Sequence, residues 1–322
     1  MSIKTVSNVV NGYVHVRAET RERVNAAIVA LGYRPNLTAR SLRGGRTGVI
    51  ALAVPDLTSP YFAEIAEGVI VAAEQLGWTV LIDQTDGERE RELLVLHGIR
   101  DHLIDGVVFS PLALGDDDLR ATRSEVPIVC LGERVHAGSM DHIAIDNVAA
   151  ARAATDHLIE RGRRRIAAIG AQASPVAETA RLRLAGYTEA LRDAGLDPEG
   201  ELVRPAGSWH RADGQSAVEQ LIEAGVGADA IFCFNDLLAL GALHGLAGLG
   251  VAVPDDVAVI GIDDIEECRY VRPTLSSISP DKGEIARRSV ALLAERLGQR
   301  SAAPAAGREI EVSFELMVRE ST

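Results

Sequence analysis

An α/β fold of two parallel-sheet lobes, preceded by a small all-α head, is predicted by three features of this sequence. From Thr47 onward, short apolar runs alternate with stretches of helical spacing. The chain is 322 residues long, more than one ordinary domain, and its apolar runs are too many for one sheet. Charge is split as well. Residues 1–48 carry a net +6 while the whole chain carries −13, which leaves −19 on the rest. A basic head on an acidic body suits a polyanion at the head and a different ligand in the body. The expected division is a head over 1–46 and a core over 47–322, with the chain crossing between lobes near 146, 278 and 308.

In the head, Ile3–Val10 is compatible with a short helix that Asn11-Gly12 stops. Thr20–Leu31 sets Val24, Ala27, Ile28 and Leu31 on one face, and Gly32 ends it. Pro35 can precede a helix but not continue one, and Asn36 offers an N-cap to Leu37–Leu42. That stretch is too short to hold as an isolated helix. Arg43-Gly44-Gly45-Arg46 reads as the joint to the core.

In the core, Thr47–Val54 is a buried strand closed by Pro55-Asp56, and Tyr61–Leu76 is a helix with Phe62, Ile65, Ala66, Val69, Ala73 and Leu76 in register. Strand Trp78–Ile82, helix Gly87–Arg100, strands Gly106–Ser110, Ile128–Leu131 and Ile143–Ile145 continue the series. After Asp146 come helix Val148–Arg161, strand Arg165–Gly170, helix Arg181–Ala194, a strand near Leu202 and helix Ala212–Ala224. Strand Ala230–Phe234, helix Leu237–Leu249 and strand Val257–Ile262 follow. Asp116-Asp117-Asp118 reads as a helix start favoured by the dipole. In such folds ligands sit at the carboxyl ends of strands, so those positions are the ones to search.

Composition removes several classes. No run of about 18 apolar residues exists, so no membrane helix is expected. The N-terminus lacks an apolar signal core, and Cys130, Cys233 and Cys268 form neither a disulfide framework nor a zinc site. A cytoplasmic protein without metal or cofactor is expected. No G-x-G-x-x-G follows a strand, and no Walker A, H-E-x-x-H or G-x-S-x-G sequence is present, so no catalytic residues are expected.

Segments Thr5-Val6-Ser7, Val9-Val10-Asn11-Gly12, Thr20-Arg21-Glu22-Arg23-Val24, Leu31-Gly32-Tyr33-Arg34-Pro35-Asn36 and Ala39-Arg40-Ser41-Leu42 resemble the DNA-binding head of the lactose/galactose-repressor family. In the body, Ser59-Pro60-Tyr61-Phe62-Ala63-Glu64, Arg183-Leu184-Ala185-Gly186-Tyr187, Phe234-Asn235-Asp236 and Gly261-Ile262-Asp263-Asp264 resemble the same family in the same order. The resemblance implies a helix-turn-helix head and a two-lobed, periplasmic-binding-protein-like core that binds a small effector. It also implies a homodimeric transcription regulator acting on double-stranded operator DNA. The sequence departs from the pattern at its start. It begins at what resembles the recognition helix, so the first head helix is missing. A start assigned too late is the expected account, and a degenerate head the other.

By that resemblance Ile3, Lys4 and Asn8 occupy base-reading positions, where Lys4 can donate to guanine and Asn8 can pair with adenine. Thr5, Ser7 and Asn11 fall on phosphates or cap the helix. Leu42 matches a leucine wedged into a central minor-groove step, with Arg40 and Arg43 beside phosphates. Each polar position alone is equally compatible with plain helix surface; the ordered set favours contact.

The residues matching effector positions are Tyr61, Phe62, Glu133, Arg183, Trp209, Asn235 and Asp263. Trp209 offers a flat ring, Arg183 a donor fork, Asp263 two acceptors, and Asn235 a donor and an acceptor. That mixture suits a neutral mono- or disaccharide better than a nucleobase. Core packing is the competing reading for Tyr61 and Phe62. Asp264 reads as a helix N-cap rather than a contact. Apolar helix faces at Ile65–Ala72 and Ile285–Leu293 look surplus to two lobe cores and predict a homodimer. No heptad tail follows Arg319, so no tetramer is expected. The function expected is an effector-controlled repressor of sugar-utilisation genes, not an enzyme. The alternative is a sugar-binding protein without DNA function, which the basic head opposes.

Overall fold

A computed structural model describes residues 2–10, 13, 15–31, 46–97, 103–121, 124, 126–132, 140–174, 177–299 and 306–322. The head contributes helices α1 (Ile3–Val10) and α2 (Ala18–Ala30). The two helices pack together, and Val9 of α1 and Val24 of α2 are buried. The stretch expected as a hinge helix, Leu37–Leu42, lies outside the described residues.

The core holds two sheets, each of six strands among the described residues. The N-lobe sheet runs β11-β5-β4-β3-β1-β2, from β1 (Val49–Val54), β2 (Thr79–Gln84), β3 (Gly106–Phe109), β4 (Ile128–Leu131), β5 (Asp141–Ala144) and β11 (Glu309–Glu311). The C-lobe sheet runs β12-β10-β9-β8-β6-β7. Its strands are β6 (Ile166–Ala171), β7 (Val203–Pro205), β8 (Ala230–Cys233), β9 (Ala258–Ile262), β10 (Ser276–Pro280) and β12 (Phe314–Met317). Every pairing is parallel except β10 with β12. Parallel strands need crossover helices, which supply the covering layers. Those of the N-lobe are α3 (Pro60–Gln75), α4 (Arg89–Leu96), α5 (Asp116–Ala121) and α10 (Lys282–Gly298). Those of the C-lobe are α6 (Asn147–Glu160), α7 (Glu178–Asp193), α8 (Arg211–Glu223) and α9 (Asp236–Gly248).

The chain passes between sheets after β5, after β10 and between β11 and β12. Asp141, on β5, is fully buried and bound by Arg296 of α10 and by Arg308 just before β11. Burial alone would raise its carboxyl. The hydrogen bonds from the two guanidiniums outweigh that and hold it well below the usual carboxylate range.

Two expectations need correction. The alternation legible in the sequence ends at Val257–Ile262, yet three short strands follow. Runs of three to five residues, half-exposed in β11 and β12, carry too little pattern to be seen. The apolar face of α10 is also not surplus. Ile285, Ala286, Val290, Leu292 and Leu293 are buried in the N-lobe core with Ile65, Ala66, Val69 and Ala73 of α3. The two helices pack so closely that a Cβ on Gly68 would stand 2.7 Å from that of Ala286. Among the exposed apolar residues are Val71 of α3, Leu76 just after it, and Leu81 and Ile82 of the edge strand β2.

Candidate functional site

A cleft of about 620 Å³ opens between the lobes, at the carboxyl ends of the strands. Six of the seven residues singled out for an effector line it: Tyr61, Phe62, Arg183, Trp209, Asn235 and Asp263. Glu133 lies outside the described residues, directly after Leu131 and Gly132, which also line the cleft.

The C-lobe wall is pre-set by contacts within the protein. Arg183, on α7, is buried; its Nε donates to Asn147 Oδ1 at 2.6 Å and a terminal nitrogen donates to the Phe234 carbonyl. Its guanidinium carbon stands 5.5 Å from the centroid of the Trp209 ring. Two of its five N–H groups are therefore committed, and the rest are free to donate. Trp209 donates from Nε1 to the Gly170 carbonyl at 2.9 Å and meets Phe234 edge-to-face. Gly170 has φ +126°, and a Cβ there would come within 2.5 Å of Phe234, so only glycine lets the rings pack.

Asn235 serves the scaffold first. Its Oδ1 accepts from Leu238 N at 2.9 Å, capping α9, and its Nδ2 donates to the Trp209 carbonyl at 3.1 Å. One N–H and one lone pair remain for a ligand. Asp263 differs. It follows β9 directly with φ +124°, a backbone cost that a non-glycine residue bears only where its surroundings impose it. Its carbonyl accepts from Lys282 Nζ at 2.6 Å. Its carboxylate is buried and has no hydrogen-bond partner among the described residues. Burial pushes it up to about 8; Arg183 and Lys282 pull it down, while Asp236 and Glu64 push it further up.

The N-lobe wall is softer. Tyr61 and Phe62 begin α3, half-buried and edge-to-face with ring centroids 5.2 Å apart. Phe62 packs on the N-lobe core, whereas Tyr61 touches both lobe cores.

Sequence reasoning missed the groups that join the lobes. His210 Nε2 of the C-lobe lies 3.4 Å from Asp56 Oδ2 of the N-lobe, and both residues line the cleft. Their one sequence signal is position, Asp56 after a strand and His210 beside Trp209. Lys282 pairs with Glu64 at 2.7 Å and also donates to the Asp263 and Asp264 carbonyls, while Glu64 accepts from Glu266 N. Asp264 is no helix cap. Its carboxylate is held by Arg319 at 2.5 Å, tying the chain's last residues to the end of β9.

In the head, Ile3, Lys4 and Ser7 fall on α1. Thr5 and Asn8 are half-buried there, with the Thr5 hydroxyl 2.9 Å from that of Ser2. Asn11, Arg40, Leu42 and Arg43 lie outside the described residues. Among the described residues no three His, Cys, Asp or Glu side chains form a metal site, and no helix is long and apolar enough to cross a membrane.

Two parallel-sheet lobes around a cleft that carries Arg183, Asn235 and Asp263, joined to a small basic helical head, are the architecture of a ligand-responsive, DNA-binding transcription regulator. The comparisons agree. Residues 1–36 match the model of bacterial regulatory proteins of the lacI family, and residues 155–322 match a periplasmic binding protein-like domain. The chain belongs to the lacI family. It is 35% identical to the HTH-type transcriptional regulator CelR of Thermobifida fusca over 98% of this chain and 94% of that one. A solved CelR–cellobiose complex superposes with TM-score 0.75 at 31% identity, covering 100% of this chain and 96% of that chain. A Lac repressor dimer bound to operator and an anti-inducer does so with TM-score 0.83 at 28% identity, again covering 100% and 96%. The match of the head removes the reading of a solute-binding protein without DNA function.

Proposed function

We propose that this chain is a cytoplasmic repressor of sugar-utilisation genes, working as a homodimer and controlled by a neutral mono- or disaccharide held between its lobes. The observation that carries this reading is the trio of Arg183, Trp209 and Asp263. An indole face, free guanidinium N–H groups and a buried carboxylate lacking a partner together match a ring with several hydroxyls. The Asp263 carboxyl, which burial pushes up to about 8 and which faces the cleft, can both donate to and accept from a sugar hydroxyl. An anionic effector suits the cleft less, because Asp56 and Asp86 line it and Arg183 is the one Arg or Lys among its described lining residues. The cellobiose held by a regulator that is similar throughout its length supports the same class.

On the DNA side, Lys4 and Asn8 read bases, with Ile3 beside them. Thr5, Ser7 and Asn11 contact phosphates. Leu42 wedges the duplex between Arg40 and Arg43. Exposed Val71 and Leu76 beside the β2 edge at Leu81 and Ile82 supply the dimer face. Binding between the lobes changes their angle and hence the spacing of two hinges, for which a coupling of about 1–3 kcal/mol is enough.

A calorimetric screen of saccharides, sugar acids, nucleobases and amino acids, read alongside operator gel shifts, tests this. A neutral sugar should bind and alter the shift. Binding of a purine with no sugar binding overturns the assignment. Leu42→Ala should weaken operator binding while leaving sugar affinity unchanged.

A further inference from the structure

The N-lobe wall raises a question of support. Ser110, Pro111 and Leu112, in the loop between β3 and α5, line the cleft, as do Asp86 and Gly87 in the loop entering α4. Beneath both loops lies Glu92 of α4, a carboxylate with 0% exposure that does not itself reach the cleft. Its Oε1 accepts from Leu112 N at 2.6 Å, and its Oε2 accepts from Ala113 N and Leu114 N at 2.9 and 3.0 Å. Three consecutive backbone N–H groups converge on one carboxylate, the arrangement of an anion-binding nest filled by a side chain. Bonds to a charged acceptor are short and strong, so they fix the course of the loop as well as its attachment. The neighbouring loop lies close by, since a Cβ on Gly87 would stand 3.4 Å from Leu112 Cδ1.

We infer that Glu92 is the positioning residue of the N-lobe wall, setting the backbone of residues 110–114 so that this wall is preformed for the effector. The inference rests on the saccharide reading of the cleft. Chemistry separates it from simple anchoring of α4. An apolar side chain would hold a helix on this core without burying a charge, and burying a charge is costly unless its bonds are needed. Here three bonds come from consecutive backbone N–H groups of the loop that lines the cleft.

The test uses the full chain and the tightest-binding neutral saccharide of the screen. Glu92→Gln keeps the shape, removes the charge and turns an N–H donor toward N–H donors. Its saccharide Kd, measured well below the melting midpoint, should rise about tenfold or more. Operator affinity without sugar should stay within about twofold, because the loop contacts no DNA. Glu92→Asp, charged but shorter, should fall between. A lowered melting temperature with unchanged saccharide Kd overturns the inference and leaves a purely structural carboxylate. Hydrogen exchange on the wild-type chain gives an independent reading should the variants not fold. Saturating saccharide should slow exchange of the Leu112–Leu114 amides, and no change there counts against the inference. A wild-type chain that binds no saccharide fails the reading of the cleft itself, an outcome distinct from normal binding by Glu92→Gln.

Discussion

The two walls of the cleft are built on different terms. On the C-lobe side, Arg183, Trp209, Asn235 and Asp263 come from four separate segments, and protein contacts fix all four before any ligand arrives. On the N-lobe side, two half-buried rings, Asp56, Asp86 and the backbone of short loops face the same space, and the loop after β3 is bonded to one buried carboxylate. The C-lobe wall carries the buried polar groups, Arg183, Asn235 and Asp263, that the proposed function assigns to recognition. The N-lobe wall carries the Tyr61 and Phe62 rings and loop backbone together with the carboxylates of Asp56 and Asp86. A regulator needs both. Under the proposed function the C-lobe wall would hold the ligand in one orientation, and Tyr61 and the Asp56–His210 pair, which span the two lobes, would pass occupancy on to the lobe angle.

That division of labour can be broken most directly at Arg183. Arg183→Ala should weaken saccharide binding about a hundredfold or more, since it removes the donor fork and the cation facing buried Asp263. Operator binding without sugar should survive. If calorimetry found near-normal affinity, recognition would have to be reassigned to the N-lobe wall.

Asp263→Asn should cost about tenfold in saccharide affinity. It also carries a pH signature. Burial holds the carboxyl at about 8 in the folded core, against about 3.9 in an unfolded chain. The folded state therefore holds this proton more tightly, and its contribution to stability is full below about pH 4 and declines as pH rises toward about 8. Thermal melts across that range should show the decline in the wild-type chain and a smaller one in Asp263→Asn. Equal slopes would mean that Asp263 is not the titrating group.

On the other wall, Phe62→Ala should lower affinity only about three- to tenfold, through lost apolar contact. A loss as large as that of Arg183→Ala would erase the contrast between walls. The smallest effect is expected at His210→Ala. The exposed pair with Asp56 contributes little in solvent, so sugar affinity should change by about twofold or less. The informative readout is the operator response at saturating sugar, and an altered response with unchanged Kd would sharpen the pair's role in joining the lobes.

The framework of the core was legible because helix and strand periods are local. Tyr61–Leu76 and Val148–Arg161 both fall within two residues of α3 and α6. The cleft residues were legible by motif, since Asn235 and Asp263 each end a strand in a recognisable phrase. Less was visible at the chain's end, where β10 to β12 are short. The covering of α10 could not be read either, because an apolar stripe does not say whether its own core or a partner buries it.

The sequence by itself determined the order of elements, the basic head, and which side chains stand at strand ends. Those follow from spacing over a few residues and from charge. Only the tertiary structure decided how each is used. Asn235 is drawn into capping and bracing, Asp263 is left without a donor, and Glu92 lies under a loop 20 residues further on. Lys282 and Glu64 meet although more than 200 residues separate them. The reason is that burial and pairing depend on which strands become neighbours. In a two-lobe fold whose chain crosses three times, sheet order sets that, and sequence distance does not.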